Sequence, residues 1–129
     1  MLAIDTNVIV RYLTNDHPRQ SAQAKALIDR EDVYVCTTVL LETEWVLRSV
    51  YSYAADRLAK TLRAFAGLPH VTIEGAELAT QALDWMEEGL DFADALHLAK
   101  AQGHDAFVTF DKNFARVANR LGVVRVQMP

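Results

Sequence analysis

The sequence opens Met1-Leu2-Ala3-Ile4-Asp5-Thr6-Asn7, and the reading of this stretch decides the fold. Leu2, Ala3 and Ile4 predict a short buried strand. Asp5 falls where that strand stops. Thr6 and Asn7 are favourable N-caps, and Val8-Ile9-Val10-Arg11-Tyr12-Leu13 can follow as a helix. In an open α/β sheet, a carboxylate at the C-terminal end of a strand lies in the crevice where such folds bind ligands.

The same alternation continues along the chain. Asn15-Asp16-His17-Pro18 reads as a turn, with Pro18 in a first helical turn. Ala24, Leu27 and Ile28 recur at helical spacing and carry a helix to about Arg30. Val33 to Cys36 is β-branched and aromatic, hence a strand. Thr37-Thr38 opens a helix through Arg48 that is apolar nearly all round, which predicts a central or interfacial position. Asp56 opens another, stopped by Gly67-Leu68-Pro69. Val71-Thr72-Ile73 is a short candidate strand. A helix follows to Gly89, and another runs from Asp91 to Gln102. Ala106 to Phe110 is a strand, Asp111 precedes a helix to Leu121, and Val123 to Val126 is a last strand. The order β-α-α-β-α-α-(β)-α-α-β-α-β predicts an α/β fold, a three-layer α/β/α sandwich with a mostly parallel central sheet. The expected organisation is one domain over residues 1–129, with no repeat or linker.

Composition narrows the function. The 129 residues are 51% apolar, enough for a folded core. Thirteen Lys and Arg against 17 Asp and Glu give a net charge of −4, so a basic nucleic-acid footprint is absent. A nuclease stays open, because a bound cation supplies positive charge locally. Cys36 is the only cysteine, which excludes an internal disulfide, fits a reducing compartment and predicts a small buried residue. No apolar run is long enough for a membrane span, and the N-terminus has no basic leader. The expected location is cytoplasmic.

Four acids stand out. Asp5 and Asp111 follow strands, Asp94 lies in the first turn of a helix, and Glu42 lies inside the most apolar helix. In a parallel sheet, strand C-termini and the following helix N-termini share one edge, which gathers Asp5, Asp94 and Asp111. Glu42 joins them if its helix crosses that edge, and Glu44, on another face, reads as a solvated charge. Two carboxylates about 5 Å apart repel by roughly 3 kcal/mol at an effective dielectric of 20. Mg²⁺ or Mn²⁺ removes the conflict, takes oxygen ligands and binds phosphate oxygens. The matching chemistry is phosphodiester hydrolysis by in-line attack of water, leaving a 3′-hydroxyl and a 5′-phosphate. The competing account of each Asp is structural: a cap, a turn residue or a partner for the helix dipole.

Ile4-Asp5-Thr6-Asn7-Val8, "TTVLLETEWVL" from Thr37, "DFADALHLA" from Asp91 and "FVTFDKNF" from Phe107 together resemble the PIN-domain family, and most closely its VapC-like ribonuclease toxins. The resemblance covers essentially the whole chain. It implies a metal-dependent endoribonuclease that cleaves single-stranded RNA with Mg²⁺ or Mn²⁺, is usually a homodimer, and is silenced by a small antitoxin. The family's acids fall on Asp5, Glu42, Asp94 and Asp111, as catalytic residues and metal ligands. Asp91 lies one turn before Asp94 and competes for the third position. Thr6, Asn7 and Thr109 stand beside the acids, to orient carboxylates or to make ordinary caps and strand-end hydrogen bonds.

Other residues are less telling. His17, His70, His97 and His104 show no metal-ligand spacing. Arg11, Arg48, Lys112 and Arg116 are candidates for phosphate contacts or for surface charges. Trp45, Tyr51 and Tyr53 are expected in the core, or at a dimer or antitoxin contact. Two rival functions are a phosphohydrolase with Asp5 as nucleophile and a non-catalytic binding module. The first lacks the usual second Asp two positions on, where Asn7 stands.

Overall fold

The computed structural model describes residues 1–129. Each of the five stretches expected to be strands contributes one, and every pairing is parallel. The order of strands and helices is the one anticipated, including the short strand at Val71. The chain divides into two units, Met1–Ala76 and Glu77–Pro129.

In the first unit, β1 (Leu2–Ala3), β2 (Val33–Val35) and β3 (Val71–Ile73) form a sheet in the order β1-β2-β3. Leu2 stands opposite Val33, and Val33 opposite Val71. The central strand carries the densest apolar pattern, and Val33 and Val35 are fully buried. β1 departs from expectation: Leu2 is 48% exposed, and only Ile4, beyond the strand, is buried. Ala3 is exposed as well, so neither residue of this short strand at the edge of the three-stranded sheet is covered.

Helix α1 (Thr6–Thr14) follows β1 and buries Ile9 and Val10. Its N-cap is Asp5 rather than Thr6 or Asn7: the Asp5 carboxylate accepts from the Thr6 amide at 2.7 Å. Asn15, in the left-handed conformation, ends it. Helix α2 (Pro18–Arg30) has the expected bounds, with Pro18 in its first turn and His17 as N-cap. Helix α1 packs on α2 and on α3 (Thr37–Ser49), and α3 packs on α4 (Ala55–Ala66). Cys36, at the N-cap of α3, is half-buried rather than fully buried. Tyr12 and Phe65 meet edge to face at 5.7 Å between ring centroids.

The second unit holds α5 (Ala76–Glu87) apart from its first residue, α6 (Phe92–Lys100) and α7 (Lys112–Leu121). Strands β4 (Phe107–Val108) and β5 (Val126–Gln127) pair with Phe107 opposite Val126. The last strand lies later than Val123–Val126. Gly122 turns the chain with φ 71°, and the Asn119 amide then brackets Val126, accepting from its N–H at 2.9 Å and donating to its C=O at 2.8 Å. No helix is long and apolar enough to cross a membrane.

Candidate active site

In the first unit, Asp5, Thr6, Asn7 and Glu42 line one cleft of about 300 Å³, together with Arg11 and Tyr51. The local sequence explains how. Asp5 ends the strand segment and caps α1, so its carboxylate is fixed at the mouth of the helix. Thr6, in the first turn of α1, is buried and donates its hydroxyl to Glu42 Oε1 at 2.5 Å. That bond ties Glu42 of α3 to the N-terminus of α1. Asn7 shares the cleft, and its side chain makes no hydrogen bond within the chain.

Glu42 is exposed, against the expectation that it is the buried charge of α3. The buried acid is Glu44, 1% exposed. Its carboxylate takes two hydrogen bonds from Arg48 one turn on, at 2.9 and 3.3 Å. The buried residues of α3 are Leu40, Thr43, Glu44 and Leu47, one helical face that includes two polar side chains. Trp45 faces outward at 53% exposure, so core packing does not account for it.

In the second unit, Asp91, Asp94 and Asp111 form an electrostatic group. The pKa of Asp94 is raised by partial burial first, then by the charge of Asp91; His97 opposes this, and Asp111 adds to it. Asp91 is the N-cap of α6 and accepts from the Asp94 amide at 3.3 Å. Asp111 is the N-cap of α7 and accepts from the Phe114 amide at 2.9 Å. Thr109 accepts from the Asp111 amide at 3.0 Å, which fixes the turn between β4 and α7. Asp94 caps nothing, and its carboxylate pays for that freedom with partial burial beside two acids.

Within neither unit do three His, Cys, Asp or Glu side chains form a group able to hold a metal ion. The donor sets still suit a hard cation. Mg²⁺ is usually held by one or two carboxylates, several waters and substrate phosphates rather than by an all-protein cage. Asp5 with Glu42 is such a pair, and so is Asp94 with Asp111.

A polar network beside the first cleft escaped the reading of the sequence. Arg11 Nε donates to Gln20 at 2.8 Å and Nη1 to Asp16 at 3.1 Å. Asp16 also accepts from the hydroxyls of Tyr51 and Thr14 at 2.5 and 3.0 Å. These bonds, those of Tyr51 and Thr14 before Arg11's charge, hold the Asp16 carboxyl below its ordinary value. The one local signal is the closeness of Arg11, Thr14 and Asp16 in the chain, around the end of α1. Nothing in the sequence brings Tyr51 to them.

Known proteins complete the picture. A crystal structure of VapBC2 from Rickettsia felis bound to a DNA fragment from their promoter aligns over 98% of this chain and 97% of that one. Identity is 16% and the TM-score 0.40. No curated protein matches the chain. The PIN domain family matches over residues 2–120, and its members are generally nucleases that use divalent metal ions. With nine-tenths of its length matched, and with the acids at the stations described above, the chain belongs to the PIN-domain family.

Proposed function

We propose that the protein is a single-domain endoribonuclease that cleaves single-stranded RNA with Mg²⁺ or Mn²⁺. Asp5 and Glu42 of the first unit and Asp94 and Asp111 of the second serve as the acidic ligands. The observation that carries this reading is the Asp5–Thr6–Glu42 arrangement, in which two acids from separate helical segments share a cleft and a hydroxyl orients one of them. Asp94 supports it from the other unit: partial burial first, and then the charge of Asp91, raise its pKa, and a bound cation relieves both. Family membership supplies the reaction class.

The divalent ion, when bound, polarises the phosphoryl oxygens and activates water. The chain's own residues do the rest. The Asp5 carboxylate stands at a fixed point because one oxygen is held by the Thr6 amide. Glu42 is oriented by the Thr6 hydroxyl, and Thr109 sets the turn that presents Asp111. The hydrolysis needs no covalent nucleophile.

The VapC-like sequence motifs support a toxin role, a cognate antitoxin and a homodimer, and the lone Cys36 fits a cytoplasmic location. The outward Trp45 and Val50 of the α3 segment are the surface feature that supports a partner. The test is incubation of single-stranded RNA with the protein and Mn²⁺ or EDTA, followed by sequencing of the ends. New 5′-phosphate ends with Mn²⁺ and none with EDTA are expected. Intact RNA in both arms, from folded protein, refutes the nuclease. Growth arrest on induction, relieved by an antitoxin, tests the toxin role.

A further inference from the structure

A second cleft, of about 270 Å³, lies between the first two turns of α1 and one face of α2, and it shares Asn7 and Arg11 with the acid cleft. Its other walls are Gln20, Gln23 and the apolar Leu27 and Ala24. Arg11 is the only cation lining the acid cleft. It is bonded to Asp16 and Gln20 rather than to Asp5 or Glu42. Two of its five N–H donors are used there, and three are left for a ligand. Gln20 accepts from Arg11 through its oxygen, which fixes the amide and leaves its NH₂ free to donate. Asn7 and Gln23 make no side-chain hydrogen bond within the chain. The cleft thus offers three primary amides over an apolar floor, with a cation on the ridge towards the acids.

We propose that this second cleft is a nucleotide subsite of the nuclease: Arg11 holds a phosphate next to the scissile one, and the amides of Gln20, Gln23 and Asn7 read one base. The proposal rests on the nuclease reading. Size and chemistry both favour a single base. The volume lies just under the lower bound of about 300 Å³ for pockets that take drug-sized ligands, which suits one flat ring system. Amides that both donate and accept match the hydrogen-bonding edge of a splayed-out base, the usual target of sequence-specific RNA recognition. The Asp16 anchor, itself gripped by Tyr51 and Thr14, makes Arg11 a fixed point rather than a mobile surface charge.

The test uses a randomised single-stranded RNA pool cut by the full chain with Mn²⁺, with sequenced ends. Wild type should show one position flanking the cut at which one base is favoured about 10-fold. Gln23→Ala should flatten that bias to about 2-fold. Gln23→Glu, which only accepts, should move it towards bases that present amino groups. In an Asp94→Asn background, adding Arg11→Gln should make the salt dependence of RNA binding, read by anisotropy, shallower by about 0.7 in log–log slope. Gln23 is exposed on α2, so its variants do not threaten the fold. Cutting with the same bias in wild type and both Gln23 variants overturns the subsite and leaves the nuclease standing. So does an unchanged salt slope for Arg11→Gln. If wild type cuts no RNA, the nuclease itself fails, and the subsite with it.

Discussion

Thr6 and Glu42, 36 residues apart, are joined by one hydrogen bond from hydroxyl to carboxylate at 2.5 Å. Thr6 belongs to the helix that Asp5 caps, so the bond couples the positions of two proposed ligands. Thr6→Val keeps the shape and removes the donor. Cleavage should fall about 10- to 100-fold, the usual cost of losing a group that orients a ligand. Stability should change by less than about 1 kcal/mol, because Glu42 is exposed and water replaces the lost partner. Single-turnover cleavage and denaturant unfolding measure the two separately.

Asp5→Asn should abolish cleavage and spare the fold. Asn caps helices as well as Asp does, so the bond from the Thr6 amide survives while the charge goes. Asp5→Ala should lose the activity and a further ~1 kcal/mol of stability. Full activity of Asp5→Asn on RNA that wild type cuts would remove Asp5 from the ligand set.

Asp94 carries the pH dependence. Its pKa is raised in the folded state, by partial burial first and then by Asp91. Between the unfolded carboxylate value, about 3.9, and the raised folded value, the native state holds more protons than the unfolded one. Its contribution therefore favours folding below the unfolded pKa and is lost as pH rises through the folded one. Asp94→Asn should remove this decline and raise the melting temperature of the metal-free protein at neutral pH. It should also abolish cleavage. A lower melting temperature at pH 7 would contradict the unfavourable burial of the Asp94 charge beside Asp91.

Divalent metal should act on stability through the same acids. At about 100 times its dissociation constant, Mn²⁺ should stabilise the wild type by about 2.7 kcal/mol. Glu42→Gln and Asp94→Asn should each shrink that gain. Equal stabilisation of all three proteins would place the ion elsewhere.

The Glu44–Arg48 pair gives a prediction independent of function. Glu44 is buried and its carboxylate is bonded to Arg48, whose side chain is 45% exposed. Arg48→Met leaves that charge with no basic partner, at a cost of about 1–3 kcal/mol. Glu44→Gln should cost less, since it buries no charge. Urea unfolding of the two variants orders them.

The parts of the fold legible in the sequence are those under local control. Pro18 and the run to Arg30 mark out α2 because proline position and apolar spacing act within one helix. Asp91 and Asp111 stand at helix starts for the same reason. What escaped depends on distant partners. In α3 the apolar residues circle the helix, so their pattern does not fix its phase. The buried face instead includes Thr43, bonded to the Val39 carbonyl, and Glu44, satisfied by Arg48. Glu42 is thereby on the open side, which is what a metal ligand needs, and is not the buried charge that its place in the most apolar helix predicts. Likewise β5 begins at Val126 because Asn119, seven residues earlier, captures that residue's backbone. The Arg11–Asp16–Tyr51 contacts join three segments that no periodicity connects.

Three of the acids in this chain, Asp5, Asp91 and Asp111, also start helices by accepting backbone N–H groups. Selection for architecture alone would retain them. A descendant that had given up its chemistry would still display Asp5 and Asp111, half of the acidic signature, and a motif count would mistake it for an enzyme. Glu42 and Asp94 have no such second occupation, so their loss in a relative is the informative mark of a scaffold that no longer cuts.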